Sequence, residues 1–264
     1  MPQVWATTLD RGEYLCSQRT MYRILDEHGE VHERRDQLRR PHYAKPELMA
    51  TAPNQARSWD ITKLKGPRKW TYFYFYVILD IFSRYAAGWT VSTKESAEVA
   101  KALIEETARK QRIATGQVVL HADRGGPMTA KAFSSMLVEL GISESHSWPH
   151  VSDDNCFSEA QFKTVKYRPD YPERFGCFED AVSFMTRLFD WYHHEHHHNG
   201  IALMRPADVH HGRAAAVQAR RAITLDAAYM RHPERFVRKA PAPTPLPSAV
   251  WINKPTTAVA VVAQ

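Results

Sequence analysis

The chain is poor in the features that would place it in a membrane, a secretory pathway or a disulfide scaffold. Its three cysteines, Cys16, Cys156 and Cys177, are odd in number and scattered, and no Cys-x-x-Cys pair suggests zinc or redox chemistry. They read as reduced thiols. No run approaches the ~20 apolar residues of a membrane span. The opening Met-Pro-Gln-Val-Trp-Ala-Thr-Thr-Leu-Asp has neither the basic nor the apolar region of a secretory signal. There are no internal repeats. These absences predict a cytoplasmic globular protein of 264 residues with no membrane partner, long enough for one large domain with appendages.

A strong charge is lacking too. The net charge of +6 and pI near 9.2 favour a polyanionic partner only mildly. The distribution says more. Between Arg205 and Lys239, eight Lys and Arg face only three acids, Asp208, Asp226 and Glu234.

Ser17 is placed to cap a helix in which Met21, Ile24 and Leu25 form one apolar stripe, with Arg19 and Arg23 four apart on another side. Two readings stand open: the second helix of a partial helix-turn-helix that turns Arg19 and Thr20 toward DNA, with Arg23 as a further DNA-binding candidate, or a small helical cap with solvated arginines. Charged residues from Glu27 to Arg40, then Pro41 and Pro46, read as a linker. The expected organisation is residues 1–40 as the partial helix-turn-helix segment and 41–54 as linker. A core follows over 55–212, and a basic helical segment with a Pro-rich extended tail over 213–264.

From Arg57 the β-branched and aromatic run through Phe82, broken by Lys65-Gly-Pro-Arg-Lys69, predicts a hairpin of buried strands. A third strand follows over Ala86 to Ser92, then a helix over Lys94 to Arg112. Gln117 to Asp123 reads as a short strand leading to a Gly125-Gly126 turn. A helix capped by Thr129 runs to Leu140, and Ile142 to Trp148 forms a further strand. Asp154 is the expected cap of a helix carrying Glu159, and Phe178 to His194 is an amphipathic helix. Strands first as a meander and then alternating with helices imply an α/β fold with a mixed sheet covered on both faces.

Three carboxylates draw the chemistry. Asp60 lies inside a predicted strand, which tolerates a buried Asp only when it is paired or ligates something. Asp123 ends another strand at its C-terminal edge, a common place for a site. Glu159 lies on a helix, with 35 residues between it and Asp123. Carboxylate oxygens are hard ligands suited to Mg²⁺ or Mn²⁺, and a pair of ions about 3.5–4 Å apart can serve both oxygens of a phosphodiester exchange. Any three acids can be joined after the fact, so the segments around them matter.

Those segments are Ser-Trp-Asp-Ile-Thr-Lys-Leu, Leu-Asp-Ile-Phe-Ser-Arg, His-Ala-Asp-Arg-Gly-Gly and Asp-Asn-x-x-x-Glu-x-x-Phe-Lys-Thr-x-Lys. Together, in this order, they resemble the DDE transposases of bacterial insertion sequences, whose core is related to retroviral integrase. The resemblance runs from about Leu15 to Pro255 and takes in His196-His-His-Asn-Gly-Ile201 and Pro206-Ala-Asp-Val-His210. It implies a ribonuclease H-like fold with a five-stranded mixed sheet flanked by helices. Asp60, Asp123 and Glu159 become the catalytic residues and ligands of Mg²⁺ or Mn²⁺, two ions per site. The implied reaction frees a 3′-hydroxyl at an element end, and that hydroxyl then attacks another phosphodiester. The implied partners are DNA, as terminal repeats and target, and a second copy of the chain. The protein would be nucleoid-associated when on DNA.

On the Glu159 helix, Asn155, Lys163 and Lys166 share roughly one face and are expected to contact DNA phosphates. His121 falls two residues before Asp123 and is read as orienting the site or packing beside it. Asp80 is expected to pair with Ser83 or Arg84 in the core, and Ser83 and Tyr85 to be structural. The bunched histidines 193–198 lack the spacing of a closed zinc site. Two other functions remain open: a transposase-derived DNA-binding protein without catalysis, and a ribonuclease H-type nuclease that cleaves RNA in hybrids.

Overall fold

A computed structural model describes residues 5, 7–8, 10–30, 47–114, 116–123, 131–146 and 155–255, without the side chains of 131–133, 136 and 146. The chain divides into two compact units, Met1–Ala44 and Lys45–Gln264. In the first unit, α1 (Gln18–Glu27) begins where Ser17 accepts a hydrogen bond from the Thr20 amide through its hydroxyl, the expected cap. None of its residues is buried. Arg19 is exposed, and Arg23 is exposed and pairs with Glu27 at 2.8 Å.

The second unit is built on a five-stranded sheet. Its strands are β2 (Ala56–Lys65), β3 (Tyr72–Asp80), β4 (Ala86–Ser92), β5 (Val119–Ala122) and β6 (Ser143–His146), in the order β4-β3-β2-β5-β6. The first three form an antiparallel meander, and β5 and β6 join in parallel. The sheet is thus mixed, as expected from strands that first follow each other directly and then alternate with helices.

Side chains alternate across β2. Trp59 and Ile61 face a cluster containing Tyr76, Ile78, Leu120 and Leu137, with Ala100, Leu103 and Ile104 of α2 (Ala97–Lys110). Leu137 comes from α3 (Lys131–Glu139). The other face carries Leu64, Phe75 and Val77 under Phe162 and Val165 of α4 (Cys156–Lys166) and Phe184, Met185 and Leu188 of α5 (Phe178–His194). The glycine turn after Asp123 and the expected caps Thr129 and Asp154 lie outside the described residues.

A third cluster closes one end of the unit. It joins Ile81, Phe82, Ile201 and Met204 to Val209 of α6 (Pro206–His210) and Val217 of α7 (Ala214–Arg231). It also contains a feature without a local sequence signal: β1 (Leu48–Ala50), at the end of the expected linker, pairs antiparallel with β7 (Val250–Ile252), beyond the Pro-rich segment. Among the described residues, no helix is long and apolar enough to cross a membrane.

Asp80 and its surroundings set the geometry of the β3–β4 turn. It is fully buried. One carboxylate oxygen accepts from the Ser83 amide and hydroxyl, both at 2.8 Å, and the other from the Asn54 amide at 2.7 Å. Ser83 in turn meets His210 Nδ1 at 2.9 Å. Tyr85 lies between the rings of His193 and His210, with centroids 3.9 and 4.3 Å away. Burial holds both imidazoles well below their ordinary pKa, His193 at about 3 and His210 at about 4. His193 is therefore a neutral core residue whose Nε2 accepts from the Ala86 amide at 3.2 Å.

Candidate active site

The row Ser58, Asp60, Thr62 occupies the β2 face that turns toward α4, where a fully apolar row would be the ordinary choice over a helix. Ser58 lies beside His121 in the parallel register and Trp59 beside Ala122, so the chain leaves β5 at Asp123 next to the level of Asp60. Glu159 enters from the first turn of α4 and is partly exposed. Three elements, the central strand, the end of its parallel neighbour and the covering helix, thus each bring one carboxylate to one electrostatic neighbourhood.

Their proximity registers in the electrostatics. The Asp60 carboxyl is pushed up to about 7, first by burial and then by the charges of Asp123 and Glu159. The Ile61 amide, donating to Asp60 Oδ1 at 2.7 Å, and the Lys166 ammonium act in the other direction. A carboxylate repelled by two others forms with them a donor set that fits a divalent cation: hard oxygens whose repulsion the cation relieves. Among the described residues, no three His, Cys, Asp or Glu side chains already converge into a complete ligand set. The acids share one electrostatic neighbourhood without a closed coordination sphere.

Lys166 stands inside this neighbourhood. Its ammonium donates to Thr62 Oγ1 at 2.7 Å and lies 5.9 Å from the Phe162 ring centre; burial lowers its pKa while the Asp60 charge opposes the shift. Lys163 is exposed, one turn beyond Glu159. His121 is fully buried, with Nδ1 and Ser145 Oγ 3.2 Å apart, which ties the penultimate position before Asp123 to β6.

One expectation is corrected. Asn155 does not face DNA: it is fully buried, accepts from the Ser58 hydroxyl through Oδ1 and donates from Nδ2 to the Trp59 carbonyl at 3.4 Å. Helical spacing places it on the Lys163 side, but Asn155 precedes the first helical residue and its side chain turns under the helix. It also makes no capping bond to its own helix. An Asn cap is ordinarily worth about 1 kcal/mol. Ser58 and Ser158 were not anticipated as parts of the site. Their signal was a polar residue two before Asp60 on its strand face and another adjacent to Glu159.

Residues 50–152 match the integrase core domain family. The chain is 27% identical over 172 residues to the transposase for insertion sequence element IS904 of Lactococcus lactis, covering 65% of this chain and 67% of that protein. It is 30% identical over 130 residues to transposase InsF for insertion sequence IS3A of Escherichia coli, covering 49% of this chain and 44% of that protein. The chain therefore spans about two thirds of one relative and under half of the other. A chain of the simian T-cell lymphotropic virus intasome superposes with a TM-score of 0.52 at 16% identity, covering 74% of this chain and 71% of that one. The shared architecture is the ribonuclease H-like α/β fold.

Proposed function

We propose that this chain, which carries an integrase core domain related to that of insertion-sequence transposases, cuts and rejoins DNA at the ends of a mobile element. The observation that supports this best is the electrostatic coupling of Asp60, on the central strand, to Asp123 and Glu159, whose charges raise its pKa. A divalent cation bound there, in one or two ions, would sharpen an attacking oxygen and stabilise the one that leaves. Asp60 would hold it from a rigid central strand, Asp123 from the strand end and Glu159 from the covering helix.

The chemistry then needs no nucleophilic side chain. In the first step a water oxygen attacks phosphorus at the element end, the bond from phosphorus to the 3′ oxygen breaks, and that oxygen leaves as a 3′-hydroxyl. In the second, the freed 3′-hydroxyl forms a bond to a target phosphorus, and the displaced target 3′ oxygen takes up a proton. Ser83 and Tyr85 are committed to Asp80 and to the two imidazoles, in keeping with their having no part in this. Two element ends must be joined, so the working unit contains at least two copies on DNA, in the cytoplasm at the nucleoid.

The protein with Mg²⁺ or Mn²⁺ and labelled duplexes from the DNA flanking its gene should yield cleaved and joined products. Both should vanish in Asp123→Asn. Binding without products, equal in the two proteins, would instead identify a DNA-binding derivative. Cleavage confined to RNA in hybrids would identify a nuclease.

Lys163, exposed one turn from Glu159, is placed to meet a DNA phosphate, and Arg19 and Arg23 of α1 are further candidates. Lys163→Ala is expected to weaken duplex binding and lower the slope of log affinity against log salt by about one phosphate contact. A slope equal to that of the parent protein would remove Lys163 from the interface.

A further inference from the structure

The first turn of α4 is fastened to the central strand by a closed set of buried hydrogen bonds that the proposed chemistry does not use. Ser58, Asn155 and Ser158 are all fully buried. Ser58 Oγ donates to Asn155 Oδ1, and Ser158 Oγ lies 2.5 Å from Ser58 Oγ. A hydroxyl has one proton, so the directions are determined: Ser158 donates to Ser58, Ser58 to Asn155, and the Asn155 amide to the Trp59 carbonyl. Such a chain polarises in one direction, each bond strengthening the next. Next to it, the Arg84 guanidinium lies 4.2 Å from the centre of the Phe157 ring and closes another side of the same turn.

The position of this chain matters more than its existence. Ser58 lies two residues before Asp60 on the same strand face, and Ser158 is adjacent to Glu159. The bonds therefore connect the backbone stations of two carboxylates that repel each other. Without a fastening, the α4 end would relax away from the strand and take Glu159 with it. We infer that Ser58, Asn155 and Ser158 form a latch that holds Glu159 within reach of Asp60 and so sets the affinity of the carboxylate site for a divalent cation. The three are positioning residues, and the inference rests on the proposed role of the carboxylates.

The test is calorimetric titration of the metal-stripped 264-residue chain with Mn²⁺, accompanied by duplex binding and thermal melting in EDTA. Ser58→Ala and Ser158→Ala are expected to weaken Mn²⁺ binding about tenfold, equivalent to about 1.4 kcal/mol. Duplex affinity in EDTA should stay within about twofold of the parent. Ser158→Thr, which keeps the hydroxyl, should restore Mn²⁺ affinity. A purely structural role would lower the melting temperature and leave Mn²⁺ affinity untouched, and that result overturns the latch. Should Ser58→Ala not fold, Ser158→Ala carries the test, since it leaves the Ser58–Asn155 bond in place. Asp60→Asn separates the two levels of the argument. If it binds Mn²⁺ as tightly as the parent, the carboxylate site itself is wrong and the latch falls with it. If it loses Mn²⁺ while the latch variants bind normally, only the latch falls.

Discussion

Asp60→Asn is expected to abolish cleavage and joining while raising the melting temperature of the metal-free protein at pH 8. The loss of activity should be at least roughly a thousandfold, about 4 kcal/mol of transition-state stabilisation, because the proposed metal ligand on the central strand is removed. The gain in stability comes from the same residue. Its carboxyl is pushed from 3.8 to about 7 in the folded chain, by burial first and by Asp123 and Glu159 next. The folded state therefore holds this proton more tightly than the unfolded state. Stability falls as pH climbs from about 4 to about 7, and the full penalty is present above that. After discounting for partial exposure, the penalty is about 2 kcal/mol, or several degrees of melting temperature. The variant should melt higher than the parent at pH 8 and equally near pH 4. Mg²⁺ should raise the melting temperature of the parent more at pH 8 than at pH 5.5, because the cation competes with the proton, and should leave the variant nearly unmoved. Equal melting of the two proteins at pH 8 in EDTA would contradict this account.

Asp80→Ala is expected to be the most damaging single change away from the active site, costing about 3–5 kcal/mol in urea unfolding. The carboxylate satisfies two backbone amides and one hydroxyl from full burial. Its removal leaves the Asn54 and Ser83 amides without their acceptor and takes away the negative charge that faces Arg57, whose guanidinium keeps its bond to Asn54 Oδ1. Burial already lowers Arg57 to about 10, and the Asp80 charge opposes that shift. Asp80→Asn should recover only part of the loss: an amide preserves the shape but carries no charge and presents donors where amides must be received. A loss below about 1 kcal/mol for Asp80→Ala would mean that the turn re-forms its bonds with water.

The sheet was legible because β-branched and aromatic runs with turn residues between them need no tertiary information to read as strands. The helices over 97–110 and 178–194 likewise followed from apolar periodicity. The triad was a different case: spacing alone connects many acids, and only the flanking segments singled out Asp60, Asp123 and Glu159. Asn155 was misread because a helical wheel treats the cap position as one more point on the helix surface, whereas its backbone has φ −114° and ψ 40° and directs the side chain inward. The pairing of β1 with β7 was invisible because strands of three residues carry almost no periodic signal, and their partnership is decided by the cluster around Ile81, Ile201 and Val217.

That pairing bears on how the protein is made. Leu48 and Ile252 are register partners with about two hundred residues between them, a closure that costs little more entropy than a much shorter loop but cannot begin until its last strand exists. The ribosome emits the chain at about 5–20 residues per second, so the sheet, the carboxylates and the helices over them are all synthesised before Val250–Ile252 appears. During that interval Ala50 and its neighbours lack the strand that covers them. A nascent chain of this design can complete the β1–β7 pair only after Val250–Ile252 has been made, and a message cut short within the proline segment would leave Leu48–Ala50 without its partner strand and open to proteases.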